Sequence, residues 1–226
     1  MTETIRYDNG IYVGETVEGK RHGFGRYEWK DGSSYEGDFL EDQRTGRGVL
    51  RLANGIRYEG EFVGGRMTGV GVFYFPSGDK YEGEVENGDR TGLGVLTRQN
   101  GERSAGVFRQ GQREGLATVV YPDGGVFVGN YLHDKRHGDG IYTRADGFAE
   151  RQSWDTGVLI SSHPIAIAEK AATLTKKREA DELRMAEDEE TDDVEILLRS
   201  GLFDTGKRAE RAREAELSGE GVATEE

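Results

Sequence analysis

Residues 35–57 read YEGDFLEDQRTGRGVLRLANGIR, and this stretch decides the fold because it recurs along the chain. Units of the same length and pattern occupy residues 12–34, 58–80, 81–103, 104–126 and 127–149, with no insertion between them. A fixed period of this size indicates an array in which each unit packs only against its neighbours. We therefore predict six repeats over 12–149, a partial N-terminal repeat or cap at 1–11, and a degenerate terminal strand at 150–160.

Within each unit, apolar and polar residues alternate as a strand requires. Numbering the positions of a unit from 1 to 23, position 1 is aromatic in five of the six units and position 3 is always glycine. Position 5 is mostly apolar. Positions 2 and 4 are acidic in units two to four, as Glu36, Asp38, Glu59, Glu61, Glu82 and Glu84. Because successive side chains of a strand point to opposite faces, the pattern predicts one aromatic–glycine face and one acidic, solvated face.

The second half of each unit predicts the returning strand of a hairpin. Positions 12 and 14 are glycine, apart from Ala117, and position 16 is always apolar. Glycine inside a strand permits close approach, so we expect aromatic rings to lie flat across these glycines. Position 21 is always glycine, preceded by Asp, Asn or Ser, which is a hairpin-turn signal. The predicted fold class is mainly β: an elongated single-layer antiparallel β-meander of stacked hairpin repeats, with an α-helical C-terminal tail.

Composition narrows the function classes. The net charge of −13 disfavours binding to nucleic acid or anionic lipid, so no nucleic-acid partner is expected and a membrane partner is disfavoured. There is no cysteine, which excludes disulfides and cysteine-based zinc sites. No apolar run is long enough to span a membrane, and residues 1–15 carry no signal sequence. We expect a cytoplasmic protein.

Motifs that resemble catalytic or ligand sites have simpler explanations here. The Gly23-Phe24-Gly25 step recurs with the repeat and lacks the lysine and helix of a phosphate loop. His22 and His137 have no second metal ligand at a useful spacing. The acidic pairs at positions 2 and 4 recur on the solvated face, which is typical of a surface stripe. We predict no catalytic residue, no cofactor and no metal, and therefore no enzyme.

Arginine recurs near one turn of the hairpin and is the main candidate for partner binding. It occupies position 10 in five units and position 9 in the third, as Arg21, Arg44, Arg66, Arg90, Arg113 and Arg136. We expect these side chains to form a basic edge along the sheet. One interpretation is that edge charges keep strands from aggregating. The other is that they dock an acidic surface of a partner.

Residues 161–226 predict a charged tail. They hold 18 acidic and 10 basic residues, and Pro164 suits the first turn of a helix. The tail is either a solvated extension or an arm that binds a partner through a few apolar contacts. In the second case the anchors are Ile196, Leu197, Leu198 and Phe203.

The repeats resemble those of the MORN family. The resemblance lies in the pattern Y-x-G-x-x-x-x-G-x-x-x-G-x-G with a terminal Asp/Asn-Gly turn, and it covers about two thirds of the chain. The fifth unit departs most, with Ser104 for the opening tyrosine and Ala117 for a glycine, and the sixth opens with Phe127.

The resemblance implies a non-catalytic scaffold that binds other proteins of a multiprotein assembly, other repeat proteins or itself. Short repeat-only proteins of this kind resemble ciliary and flagellar components such as radial spoke head proteins, which places the preferred location in the axoneme. Two alternatives remain open. One is a membrane-associated adaptor that binds phosphoinositides, and the other is a module that acts with an enzyme in trans.

Overall fold

A computed structural model of the chain describes residues 2–165. They form one antiparallel sheet of 15 strands in which each strand pairs with the next along the chain. The strands are β1 (Thr2–Tyr7), β2 (Gly10–Val17), β3 (Lys20–Trp29), β4 (Ser34–Leu40), β5 (Gln43–Arg51), β6 (Arg57–Val63), β7 (Arg66–Tyr74), β8 (Lys80–Glu86), β9 (Asp89–Thr97), β10 (Arg103–Arg109), β11 (Gln112–Val120), β12 (Val126–Leu132), β13 (Lys135–Thr143), β14 (Ala149–Asp155) and β15 (Val158–Pro164). The predicted antiparallel meander is confirmed. From residue 166 onward, the predicted helical tail lies outside the described residues.

The sheet extends further than the sequence predicts. Residues 150–160 were expected as a single terminal strand, but they contribute to two strands, β14 and β15. Thr156 and Gly157 have positive φ angles of 47° and 90°, and they turn the chain back on itself. Pro164 ends the edge strand β15 instead of opening a helix, a position where its missing N–H is tolerated.

A continuous row of glycines crosses the sheet under the tyrosine rings. Glycines at positions 3 and 14 face each other at every strand boundary from β2 to β10. The ring of Tyr35 lies so close to this row that a Cβ added at Gly48 would sit 2.5 Å from a ring carbon. This is the flat packing that the sequence predicts. The face that carries these rings is called the inner face, and the opposite side is the outer face.

Each hairpin contains a β-bulge, and in units one to four a tyrosine hydroxyl hydrogen-bonds the backbone next to it. In all six hairpins the register shifts after the glycine at position 3. The hydroxyl of Tyr35 donates a hydrogen bond to the carbonyl oxygen of Asp38, 3.0 Å away. The Asp38 carboxylate accepts one from the N–H of Arg47 at 3.1 Å. Acidic residues at position 4 therefore satisfy backbone groups that the bulge leaves unpaired.

Two kinds of turn join the strands. At position 20 an Asp, Asn or Ser side chain accepts a hydrogen bond from the N–H two residues later, as Asn54 does from Ile56 at 3.1 Å. At positions 7 and 8 the chain turns within two residues of positive φ, such as Glu41 at 46° and Asp42 at 70°. The second turn is the one next to the arginines.

The aromatic packing on the inner face divides into two clusters. The larger runs from Tyr12 to Phe108, and the smaller comprises Ala117, Val119, Phe127 and Tyr131. The division falls in the fifth unit. There the small side chain of Ser104 replaces the tyrosine ring, and the methyl group of Ala117 occupies space that the ring covers in other units.

The outer face is not acidic throughout. The acidic residues of units two to four alternate with valines, since Glu59 pairs with Val49 and Val72. In units five and six, positions 2 and 4 are Ala105, Val107, Val128 and Asn130. The expectation of one acidic face is thus wrong for the last third of the array, where the outer face is mainly apolar.

Candidate functional site

The arginines at position 10 lie on the inner face and not along an exposed edge. The turn is only two residues long, so position 10 pairs with position 5, whose side chain points inward. The prediction of a basic edge is therefore wrong about where these side chains point. We call the set the arginine ladder; its members are Arg21, Arg44, Arg90, Arg113 and Arg136.

Arg44 shows the basic arrangement of the ladder. Its guanidinium carbon lies 5.9 Å from the ring centroid of Trp29, 5.6 Å from that of Tyr35 and 5.3 Å from that of Phe62. These distances are within the range of cation–π attraction. One terminal nitrogen donates a hydrogen bond to the carbonyl oxygen of Gly65 at 2.6 Å. Three rings and one carbonyl oxygen thus hold a cation on the inner face.

Arg90 repeats this arrangement two units later. Its guanidinium lies 5.6 to 5.7 Å from the ring centroids of Phe75, Tyr81 and Phe108, and it donates a hydrogen bond to the carbonyl oxygen of Gly111. The three-ring arrangement thus occurs at two positions of the ladder.

Arg136 ends the ladder among aromatic rings. It lies 4.0 Å from the ring centroid of Phe127 and 4.6 Å from that of Trp154, and it donates a hydrogen bond to the hydroxyl of Tyr121. Its ring contacts are closer than those of Arg44 and Arg90.

Arg21 and Arg113 differ because each also binds a carboxylate. The Nε of Arg21 lies 3.0 Å from Asp42, and the Nε of Arg113 lies 2.9 Å from Asp134. Burial raises the pKa of Asp42, but hydrogen bonds from Arg21 outweigh it, so the pKa of this carboxyl is lowered overall. At these two ladder positions the charge of the arginine is neutralised within the sheet.

A reciprocal pair of hydrogen bonds links four of the five ladder arginines, all but Arg136, to the turn of the next unit. The N–H of Gly65 donates to the carbonyl oxygen of Arg44 at 2.9 Å, while the Arg44 guanidinium bonds the carbonyl oxygen of Gly65. The backbone half of this pair recurs in every unit, from Asp42 with Arg21 to Gly157 with Arg136. The ladder therefore connects units that are 23 residues apart in the chain.

The third unit interrupts the ladder. Met67 occupies position 10 there, and it packs against the aromatic cluster. Arg66, which the sequence grouped with the other arginines, is exposed and bonds Asn87 at 3.0 Å. Arg66 is therefore not part of the inner-face arrangement.

The ladder arginines differ in whether a carboxylate is bound to them. Within residues 2–165, neither Arg44 nor Arg90 forms an ion pair with a carboxylate. Burial lowers the pKa of Arg44 from its ordinary value, and the charge of Arg21 acts in the same direction. Burial likewise lowers the pKa of Arg90, although the charge of Asp134, which is bonded to Arg113, acts in the opposite direction. Both groups remain cations at neutral pH, because arginine starts from a pKa above 12.

An open cleft lies beside the first members of the ladder. It has a volume of about 350 Å³ and is lined by aromatic rings, two guanidinium groups and one carboxylate. The lining residues are Tyr7, Asn9, Arg21, Tyr27, Trp29, Phe39, Asp42, Gln43, Arg44 and Gly65. The cleft is thus a concave surface that offers rings and positive charge together.

Sequence reasoning missed the rings around each guanidinium and the aspartates at position 8. A signal was present, because Asp42 and Asp134 each stand 21 residues after a ladder arginine. The predicted tail anchors Ile196, Leu197, Leu198 and Phe203 lie outside the described residues.

The histidine side chains of residues 2–165 are not placed together as metal ligands. His137 lies 3.5 Å from Asp155 and accepts a hydrogen bond from the N–H of Thr156, and His133 lies 3.0 Å from Glu114 and 3.1 Å from the side-chain oxygen of Gln112. Within the part of the chain that the structure describes, no group of three or more metal-ligating side chains is placed to hold a metal ion. The same residues include no helix that is long and apolar enough to cross a membrane.

The fold and the ladder define a class: a repeat protein built from β-hairpins that stack into a single sheet. Comparison with protein-family models matches the MORN repeat at residues 12–34, 35–57, 58–80, 81–103, 105–126 and 127–148. The chain belongs to the MORN repeat family. MORN repeats indicate a scaffold for protein–protein or membrane interaction, and no catalytic family is matched.

Comparison with solved structures finds the SAS-4 (dCPAP) TCP domain in complex with a Proline Rich Motif of Ana2 (dSTIL) of Drosophila melanogaster. The two chains are 13% identical, and the match covers 68% of this chain and 90% of that chain with a TM-score of 0.41. Comparison with curated protein sequences gives no significant match.

Proposed function

We propose that the chain is a non-catalytic scaffold whose inner face binds an acidic segment of a partner protein along the arginine ladder. The observation that carries the proposal is the environment of the Arg44 and Arg90 guanidinium groups. Each is a cation stacked among three aromatic rings, and neither forms an ion pair with a carboxylate within residues 2–165. Within the sheet, Asp42 and Asp134 supply the carboxylates that bind Arg21 and Arg113. At Arg44 and Arg90, carboxylates of a partner would take this role.

The spacing of the ladder sets the geometry of the partner. Two strands separate successive ladder positions, which corresponds to roughly 10 Å, so Arg44 and Arg90 stand roughly 19 Å apart across the interrupted third unit. A partner segment that crosses the strands would place acidic side chains at about these intervals. The aromatic rings between them offer apolar contact area, which is where interfaces concentrate their binding energy.

The proposed setting is the axoneme of a cilium or flagellum, in the cytoskeletal fraction of the cell. The support is analogy: the repeats make up most of the chain, as they do in the radial spoke head proteins that it resembles. Proximity labelling of the full chain in ciliated cells, followed by detergent extraction, tests this setting. Retention with the insoluble axoneme supports it, and complete release with the soluble fraction contradicts it.

The ladder itself is tested with the variant Arg44→Gln/Arg90→Gln in the same labelling experiment. The matched control is Arg66→Gln, which removes one arginine from the same region but leaves the inner face unchanged. We expect the double variant to lose the labelled neighbours and the control to keep them. Equal labelling by both variants would exclude the ladder as the binding surface.

A membrane role is tested in parallel with phosphoinositide vesicles. The proposal predicts that the full chain does not float with vesicles containing phosphatidylinositol phosphates. Flotation that the double variant abolishes would assign the ladder to lipid headgroups in place of an acidic protein segment.

A further inference from the structure

The side chains of the outer face change from partly acidic to mostly apolar between the fourth and fifth units. In the central row of paired residues on this face, Glu36 lies between Arg26 and Val49, and Glu59 and Glu82 each lie between two valines. From β9 to β13 the same row reads Val95, Ala105, Thr118, Val128 and Ile141, and none of the five is charged. The change coincides with the fifth unit, where Ser104 and Ala117 also alter the inner face.

Apolar side chains extend this row on both sides. Leu93 pairs with Val107, and Val120 pairs with Val126. Leu116 is 48% exposed, Val120 42% and Val107 38%. We call the exposed and half-buried members of this set the outer apolar patch; they are Leu93, Ala105, Val107, Leu116, Thr118, Val120, Val126, Val128 and Ile141, whereas Val95 is buried.

The dimensions of the patch fit one helix better than a second sheet. Five strands at roughly 4.8 Å give a length of about 20 Å, which corresponds to about 13 residues of α-helix. Three rows of side chains, spaced roughly 7 Å apart, give a width close to the 10–12 Å diameter of a helix. An area of about 300 Å² is well below the roughly 800 Å² per partner of a stable interface between two copies.

Charges around the patch specify the flanks of the occupant. Arg103 pairs with Val120 and so stands within one side row of the patch, and Arg109 and Lys135 lie beside the opposite long side; all three are exposed. At the two ends of the central row, Glu82 pairs with Val95 and Arg151 pairs with Ile141, and Asp89 and Asp139 also lie toward the ends. A helix with acidic residues on both flanks of its apolar stripe therefore complements the long sides.

We propose that the outer apolar patch binds an amphipathic helix of a partner protein, whose apolar stripe is flanked by Asp and Glu. The helix lies across β9 to β13 with its apolar side on Val107, Leu116 and Val128. This interface is separate from the arginine ladder, because the two surfaces are on opposite faces of one sheet. The chain would then hold two partners at once, one on each face.

The probe is a fluorescein-labelled helical peptide of about 18 residues, with leucines at helical spacing and glutamates on both flanks. We expect saturable binding to the full chain, measured by fluorescence anisotropy. The variant Leu116→Glu should weaken binding by at least about tenfold, which corresponds to about 1.4 kcal/mol. The control Val63→Glu, an exposed apolar residue of the third unit, should bind like the wild type.

A peptide with lysines in place of the flanking glutamates should bind at least severalfold more weakly. This comparison separates charge recognition from non-specific hydrophobic binding. The variant Arg44→Gln/Arg90→Gln should bind the probe normally, so failure here and failure of the ladder proposal are distinguishable. The inference is overturned by the absence of saturable binding, by equal binding to Leu116→Glu and wild type, or by a dimer of the free chain that Leu116→Glu dissociates.

Discussion

Arg44 and Gly65 are joined in both directions: the guanidinium donates to the carbonyl oxygen of Gly65 at 2.6 Å, and the amide of Gly65 donates to the carbonyl oxygen of Arg44 at 2.9 Å. The first bond depends on the side chain, and the second needs only the backbone. The side chain therefore adds to a connection between units that the fold makes in any case. This relationship gives the arginine ladder a structural role in addition to the binding role proposed for it.

The first prediction concerns the structural role of Arg44. Replacing it with glutamine removes a charge-assisted hydrogen bond and cation–π contacts with three rings, so Arg44→Gln should lower the free energy of unfolding by about 1–3 kcal/mol. Arg66→Gln should change it by less than about 0.5 kcal/mol, because Arg66 is exposed. Urea unfolding followed by circular dichroism measures both. Equal losses in the two variants would show that the stacked geometry adds no stability.

The second prediction concerns the interruption at Met67. Met67→Arg places a guanidinium at the vacant ladder position, where the carbonyl oxygen of Gly88 is the equivalent acceptor. We expect the variant to keep or raise the melting temperature and to strengthen binding of the acidic partner. Met67→Gln, which has similar length and no charge, is the control. A fall in melting temperature for arginine alone would mean that the third unit excludes the cation.

The third prediction concerns the packing of rings on glycines. Gly48→Ala should destabilise the chain by about 1–3 kcal/mol through overpacking, since the new methyl group would meet the Tyr35 ring. In a Tyr35→Ser background the same change should cost at least about 1 kcal/mol less, because the fifth unit already combines Ser104 with Ala117. A double-mutant cycle measured by urea unfolding checks this. Additive losses would contradict the explanation of the fifth unit.

The fourth prediction concerns alkaline pH. Burial raises the pKa of Tyr58 to about 12, and it also raises the pKa of Tyr35 and Tyr81. The unfolded chain loses these protons near pH 10, before the folded chain does, so the stability is fully present below that pH and falls as pH rises above it. Thermal unfolding between pH 8 and 11 measures the slope. Tyr58→Phe should make the slope shallower, and an unchanged melting temperature over this range would contradict the prediction.

Much of the fold follows from the sequence because its signals are local and repeated. The alternation around position 3 and the glycine at position 21 predict hairpins, and identical spacing in six units predicts their stacking. The flat packing of Tyr35 on Gly48 is also predictable, since a glycine inside a strand often marks a site where another group approaches the backbone closely. These features depend on residues that are adjacent in the chain or one strand away.

The placement of the arginines was not predictable from that pattern. The turn beside them closes within two residues because Glu41 and Asp42 both adopt positive φ, although neither is glycine. A longer turn would leave Arg44 at the edge, whereas the tight turn returns it to the inner face. The apolar outer face of the last units does not follow from units two to four, because positions 2 and 4 carry acidic residues there but Ala105, Val107, Val128 and Asn130 in units five and six.

The central claim is that Arg44 and Arg90 bind an acidic partner on the inner face. The most direct measurement compares the proteins recovered with the full chain and with Arg44→Gln/Arg90→Gln, both shown to be folded by circular dichroism, using Arg66→Gln as the matched control. We expect that partners recovered by the wild type and the control are lost from the double variant, and that they are displaced by excess glutamate-rich peptide. Undiminished recovery by the folded double variant would contradict it.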